Sequence, residues 1–400
     1  MRARFGSIAK YCLGVSSAVA LVVAAAPSVY AQGITSDQTA GYVVFPKVVS
    51  DPTDMFGQGR TVDTLIQLTN TSNSPQVVHC WYVDATGLCN NGMNAVGSPA
   101  GECRDDADCL PGGTCEPQWS ANNFSIVLSP NQPTGWVVSA GGPVPAPGAE
   151  VVPPVSLDFF VGELKCVQVD GDSVTASTIT PINANDLKGE ATVYEVAAAD
   201  VDVRSYNAIG FPAVSEDGLA QNDTTLCLGD TAGNAECAAA EYASCSSRLL
   251  LTHWFDGAQV SADTDVHTGV TMVPCTQNFE QPDTQVETVV QFLVFNEFEQ
   301  RFSASTEVDC FRETLLSQID RRPGQETTSI FHVAVQGTLT GQTHVRGVLG
   351  PDTSVGHGLL AVAEEFYSNS TTGETGSTAL NVNYAGVNAG RGDFVRYTIP

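Results

Sequence analysis

The chain has 400 residues, with 17 Lys plus Arg against 44 Asp plus Glu, a formal charge of −27. Nucleic acid is excluded as a partner, because phosphate binding needs clustered Lys and Arg; anionic lipid is excluded on the same ground. The length suits about two domains of ordinary size.

Arg2, Arg4 and Lys10 precede a small and apolar run from Leu13 to Ala26, and "SVYAQG" places Val29 and Ala31 where a signal peptidase reads. Residues 1–31 are therefore expected to be a signal peptide, cleaved before Gln32. The run is too short for a membrane span, and no later stretch is apolar enough to provide one. The protein is expected to be exported, to the periplasm or the extracellular space. Its mature part would keep 14 Lys plus Arg against 44 acids.

Export changes how the cysteines read. Without Cys12, 11 remain, and in an oxidising compartment they are disulfide candidates before they are metal ligands. Cys103, Cys109 and Cys115 are evenly spaced, with five residues between neighbours and a Pro111-Gly112-Gly113 turn. With Cys89 they predict a stapled insertion over 89–115, not the close pairs of a zinc site. Calcium is the competing reading of the same stretch, through Asp105, Asp106 and Asp108, although the D-x-[DN]-x-[DN]-G register of a calcium loop is incomplete. "VDGDS" and "ADTD" offer the same fragment. Cys80 and Cys166 complete an even set in the first half. In the second half Cys275 with Cys310 is the preferred bridge, because both lie in or at the end of strand-like runs, and one cysteine is left over.

Period-two alternation in short runs, punctuated by Gly, Pro, Asn and Asp, dominates the rest. "DTLIQLTN", "VVHCWYV", "NFSIVLSP", "ELKCVQV" and "ATVYEV" read as strands of a first unit over 40–200. Residues 214–245, rich in Asp, Asn, Gly and Ala, read as a linker. "QVETVVQFLVFNE", "FHVAVQGTL", "HVRGVLG", "GLLAVAEEFY" and "DFVRYTIP" read as strands of a second unit over 246–400. Helix signals are confined to "AECAAAEYA" and "RETLLSQID". The expected fold is all-β: two antiparallel, immunoglobulin-like β-sandwiches, the first carrying the cysteine-rich insertion. A strand, turn, cysteine and aromatic recur from Thr64 to Trp81 and from Thr288 to Phe311, a hint of duplication that chance hairpin convergence explains as well.

Chemistry is sparse. There is no G-x-S-x-G, H-E-x-x-H or G-x-x-x-x-G-K-[ST]. "GDS" at Gly171–Ser173 lacks the strand-to-helix context of an esterase nucleophile. His253, Trp254 and Asp256 in "LTHWFDG" gather a base, an aromatic and an acid near a strand end, and His267 extends them toward a partial metal set. His79, His332 and His344 alternate with apolar residues as strand positions. Trp81, Trp119, Trp136 and Trp254 are candidates for stacking on sugars or for the core. "RGD" at Arg391–Asp393 sits on a strand-like terminus.

The stretches "DTLIQLTN", "HCWYV", "GELKC", "DLKGEATV" and "FLVFNEFEQRF" resemble segments of uncharacterised exported β-rich proteins of environmental Gram-negative bacteria. That resemblance implies a compartment and a fold, and no activity. The expected function is non-enzymatic: structural, adhesive or ligand-binding, with a polysaccharide or protein surface as partner and oligomerisation possible. A secreted hydrolase with a β-sandwich catalytic domain and a subunit of a surface assembly are the alternatives.

Overall fold

A computed structural model describes residues 34–397 apart from 93–100, 104–107, 118, 143–151, 156–157, 172–178, 199, 215–223, 230–236, 238, 280–286, 323–325, 349–356 and 386–391. The expected signal peptide lies outside this set. In the first half, alternating runs bounded by turn residues form β1 (Tyr42–Ser50), β2 (Arg60–Asn70), β3 (Gln76–Asp84), β4 (Gly87–Cys89), β5 (Glu102–Cys103), β6 (Cys115–Pro117), β7 (Ser120–Leu128), β8 (Pro133–Val137), β9 (Phe160–Val169), β10 (Leu187–Ala197), β11 (Val201–Asn207) and β12 (Ile209–Phe211). The second half contributes β13 (Thr225–Leu228), β14 (Arg248–Ser261), β15 (Thr264–Pro274), β16 (Gln277–Asn278), β17 (Glu287–Asn296), β18 (Arg301–Asp309) and β19 (Arg312–Leu315). A four-residue helix, α1 (Val333–Gln336), precedes β20 (Thr340–Val348), β21 (Leu359–Asn369), β22 (Thr375–Asn381), β23 (Asn383–Ala385) and β24 (Asp393–Arg396). The all-β expectation holds, and the sheets are antiparallel except where β16 meets β24.

The first half is a sandwich with a third layer. A five-stranded sheet, β12-β1-β9-β3-β7, faces a four-stranded sheet, β11-β10-β2-β8. Between them Phe45, Val78, Tyr82 and Leu164 pack on Ile66, Leu68 and Ala191. The outer face of the five-stranded sheet is covered too: Tyr42, Val44, Trp81 and Val167 pack against Leu226 and Val395 of a small sheet, β13-β24-β16. Burial on both faces is why β1 and β3 read as near-continuous apolar runs, and why Glu163, Lys165 and Gln168 of β9 are buried with its apolar residues. It also fixes Gly162 on β9, where a Cβ would lie 2.0 Å from the Val83 carbonyl oxygen.

In the second half β14 changes partners along its length. Leu249–Leu251 and Trp254–Phe255 pair with β20, and Asp256 onward pairs with β15, with register shifts at the change. The sheet β18-β17-β20-β14-β15-β21-β22 is thereby folded around a core of Phe292, Val345, Trp254, Met272, Ala361 and Phe331. The stretch read as a linker contributes β13 and the fully buried Tyr242 to the middle core, and Gln32–Pro400 forms one compact unit.

Several local expectations are corrected. "FHVAVQGTL" is not a strand: the His332 side chain accepts from the Ala334 N–H as an N-cap, and Gly337 closes α1 at φ 70°. "RETLLSQID" starts as β19, because Val270 and Thr271 offer its backbone an antiparallel partner. β2 and β3 lie in different sheets whereas β17 and β18 pair, so the suspected repeat is not one structural unit.

The disulfides are Cys80–Cys166, Cys89–Cys109, Cys103–Cys115, Cys227–Cys237 and Cys245–Cys275. The stapled insertion is a small sheet, β5-β4-β6, held by two of them. The expected Cys275–Cys310 bridge does not form: Cys245, on the segment entering β14, reaches Cys275 instead, and Cys310 is a buried thiol.

Two of the four lysines lie inside this packing. Lys165 pairs with Glu163 along β9, at 2.7 Å. Lys47 on β1 donates to Glu364 on β21 and, at 2.7 Å, to Glu313 on β19. Arg204 on β11 closes the group through Nε, 2.6 Å from the other Glu364 oxygen. Burial alone would raise the Glu364 carboxyl, but Lys47 and Arg204 hold it below its ordinary value. The stability it contributes is therefore present above the usual carboxylate range and is lost as pH falls through the lowered value. Glu364→Gln leaves two buried cations short of a partner and is expected to lower the unfolding free energy by about 3–5 kcal/mol in urea at neutral pH. A loss under about 1 kcal/mol, the worth of an exposed pair, would contradict this placement.

Candidate functional site

The "LTHWFDG" residues lie on β14 where it changes partners, beside β15 and β21. Trp254 is 1 % exposed and packs edge-on against Phe331, so its place is the core and not a ligand surface. His253 and Asp256, three residues apart, bind different groups. His253 Nε2 lies 3.7 Å from Glu365 Oε1, and its Nδ1 lies 3.2 Å from the Thr252 hydroxyl. Asp256 is opposite His267 in the β14–β15 ladder, and their Oδ1 and Nδ1 are 3.3 Å apart.

The outcome is two histidine–carboxylate pairs of similar construction. In each the acid is buried and the imidazole reaches solvent: the Asp256 side chain is fully covered and that of His267 is 38 % exposed. The pairs differ in one respect: the unbonded buried oxygen of Asp256 is Oδ2, turned from its histidine, whereas that of Glu365 is Oε1, the oxygen nearest His253 and too far from it for a hydrogen bond. Tyr367, two residues along β21, donates to Glu365 Oε2 at 2.7 Å, and its own hydroxyl is pushed up to about 12 by burial and the carboxylate. The hydrogen bond to Asp256 raises the His267 imidazole above its ordinary value, outweighing its burial.

Glu365 and Tyr367 are the residues that sequence reading missed. The available signal was the adjacent acids Glu364 and Glu365, which interrupt the apolar run of β21. Among the described residues His253 and His267 belong to no cluster of three metal-ligating side chains. Among the described residues the only three-ligand cluster is Cys89, Cys103 and Cys109, whose sulfurs are committed to disulfides.

Of the proposed calcium ligands, Asp105 and Asp106 lie outside the described residues; Asp108 sits beside the bridged Cys109. Asp172 and Ser173 are outside them as well. Asp393 of the "RGD" is buried and accepts from the Thr276 hydroxyl and the Gly358 N–H, which removes it from any recognition loop. Trp81 and Trp136 are core residues, with Trp136 donating to the Tyr82 hydroxyl, and Trp119 is half-buried. No family model matches the chain, and no curated protein matches it.

The sign of the His267 shift is testable. A raised imidazole contributes stability that is present below the unfolded value near 6.5 and is lost as pH rises through the folded value. In an NMR titration His267 should lose its proton above the ordinary imidazole value, and Asp256→Asn should bring it down. A His267 midpoint unmoved by Asp256→Asn would contradict the pairing.

Proposed function

We propose that this chain is an exported, non-enzymatic protein of the periplasm or cell surface, with a structural, adhesive or ligand-binding role. The observation that carries the reading is the distribution of five disulfides from Cys80 to Cys275, in the peripheral insertion and in the layers of the core alike. A scaffold of this kind belongs to an oxidising compartment, where its bridges persist. The amino-terminal basic and apolar pattern supports the same route. Burial of Trp81, Trp136 and Trp254 moves the recognition surface away from exposed aromatic platforms and toward polar sheet faces and loops.

The hydrolase reading keeps one supporting observation, the His267–Asp256 contact, in which a buried acid orients a half-exposed imidazole as in a general base. The two readings are separated by one protein preparation, the oxidised chain from Gln32 onward. It should be retained on insoluble polysaccharide or whole cells, and the calcium and EDTA arms show whether the aspartate loop takes part. Hydrolysis of ester or glycoside substrates that is lost in His267→Ala would overturn the non-enzymatic reading. For the compartment, the native protein should carry one thiol that reacts with maleimide only after unfolding and maps to Cys310. Several thiols in protein isolated from its own host would contradict export to an oxidising space.

A further inference from the structure

We infer that β18 is a docking edge for a second copy of this chain, the two β18 strands pairing antiparallel about a two-fold axis at Ser305. β18 ends its sheet, and among the described residues no strand lies on its other side. It pairs with β17 over nine consecutive residues, Arg301–Asp309, without a register shift. It has no proline, no bulge and no inward-facing charge; its three charges, Arg301, Glu307 and Asp309, all lie on the exposed face, where they oppose pairing in any register that does not match opposite signs.

The phase of its backbone follows from the hairpin. The Asn296 N–H donates to the Gln300 carbonyl, so in the antiparallel ladder the even-numbered residues of β18 face β17 and the odd-numbered ones turn N–H and C=O to the open side. The Arg312 guanidinium, which donates to the Glu307 carbonyl at 3.0 Å, agrees with that phase. It is an exposed side-chain contact that pairing would displace.

Setting Ser305 against its own copy makes every odd residue part of a hydrogen-bonded pair. Arg301 then lies opposite Asp309 of the second copy, at both ends of the strand, and Ser303 lies opposite Glu307. No like charges face each other. On the inner face Phe302 and Ala304, both only half-buried, come opposite Val308 and Thr306, extending the sandwich core across the axis. Phe298, 69 % exposed and the most exposed large hydrophobic side chain described, lies at the hairpin turn just beyond Arg301, where Arg312 of the second copy ends the pairing. The other edges fit less well. β12 has three residues, β8 begins with a proline, β22 is flanked by β11 through Asp202 and Ser377, and β7 has no charge to fix a register.

Sedimentation of the oxidised chain from Gln32 onward, at up to about 0.1 mM, should show a dimer. Ser305→Pro removes one outward N–H at the axis, without touching the β17 ladder, and should give a monomer with unchanged circular dichroism. Arg301→Asp should weaken the dimer at least about tenfold, because it opposes two aspartates. Adding Asp309→Arg, which exchanges the charges, should restore it. A monomer at every concentration, or a dimer indifferent to both Ser305→Pro and the charge exchange, would overturn the inference.

Discussion

The contact among Lys47, Glu364 and Arg204 is the constraint around which the rest of the molecule is arranged. It joins β1 and β11 of the first half to β21 of the second, in a place where water does not reach. A buried carboxylate between two cations stays charged only while both remain in position, so neither half can move without exposing an uncompensated charge. The surrounding packing serves the same end. Arg204 lies over the Phe366 ring, and the Tyr206 hydroxyl pairs with the Lys47 backbone. The two sandwiches expected from length share a middle layer, with Trp81, Tyr242, Leu360 and Tyr397, that draws on both halves, and Gln32–Pro400 forms one compact unit.

Much of the fold was legible because strand periodicity and turn residues are local signals. β2, β7, β9 and β17 fall where alternation puts them, β3 where an apolar run is bounded by turn residues, and the stapled insertion follows from evenly spaced cysteines. The misreadings come from signals that are not local. "FHVAVQGTL" alternates like a strand, yet a histidine cap and a left-handed glycine decide for a helical turn. Cys275 bonds to Cys245 and not to Cys310 because pairing depends on which segments the folded chain brings together, and spacing does not carry that information. In the structure two of the four lysines neutralise buried glutamates.

The candidate site shows the same division. His253, Asp256 and His267 were legible as a local gathering of bases and an acid. That they resolve into two pairs follows from the partner exchange along β14, which gives Asp256 to His267 and His253 to Glu365. Glu365 and Tyr367 come from β21, roughly a hundred residues away, and only the register with β15 places them.

Calorimetry of the oxidised chain from Gln32 onward tests the account most directly, because a single body held by a shared middle layer and a buried ionic contact must unfold as a unit. The predicted result is one transition, with calorimetric and van't Hoff enthalpies equal. Two resolved transitions, each insensitive to Glu364→Gln, would contradict it.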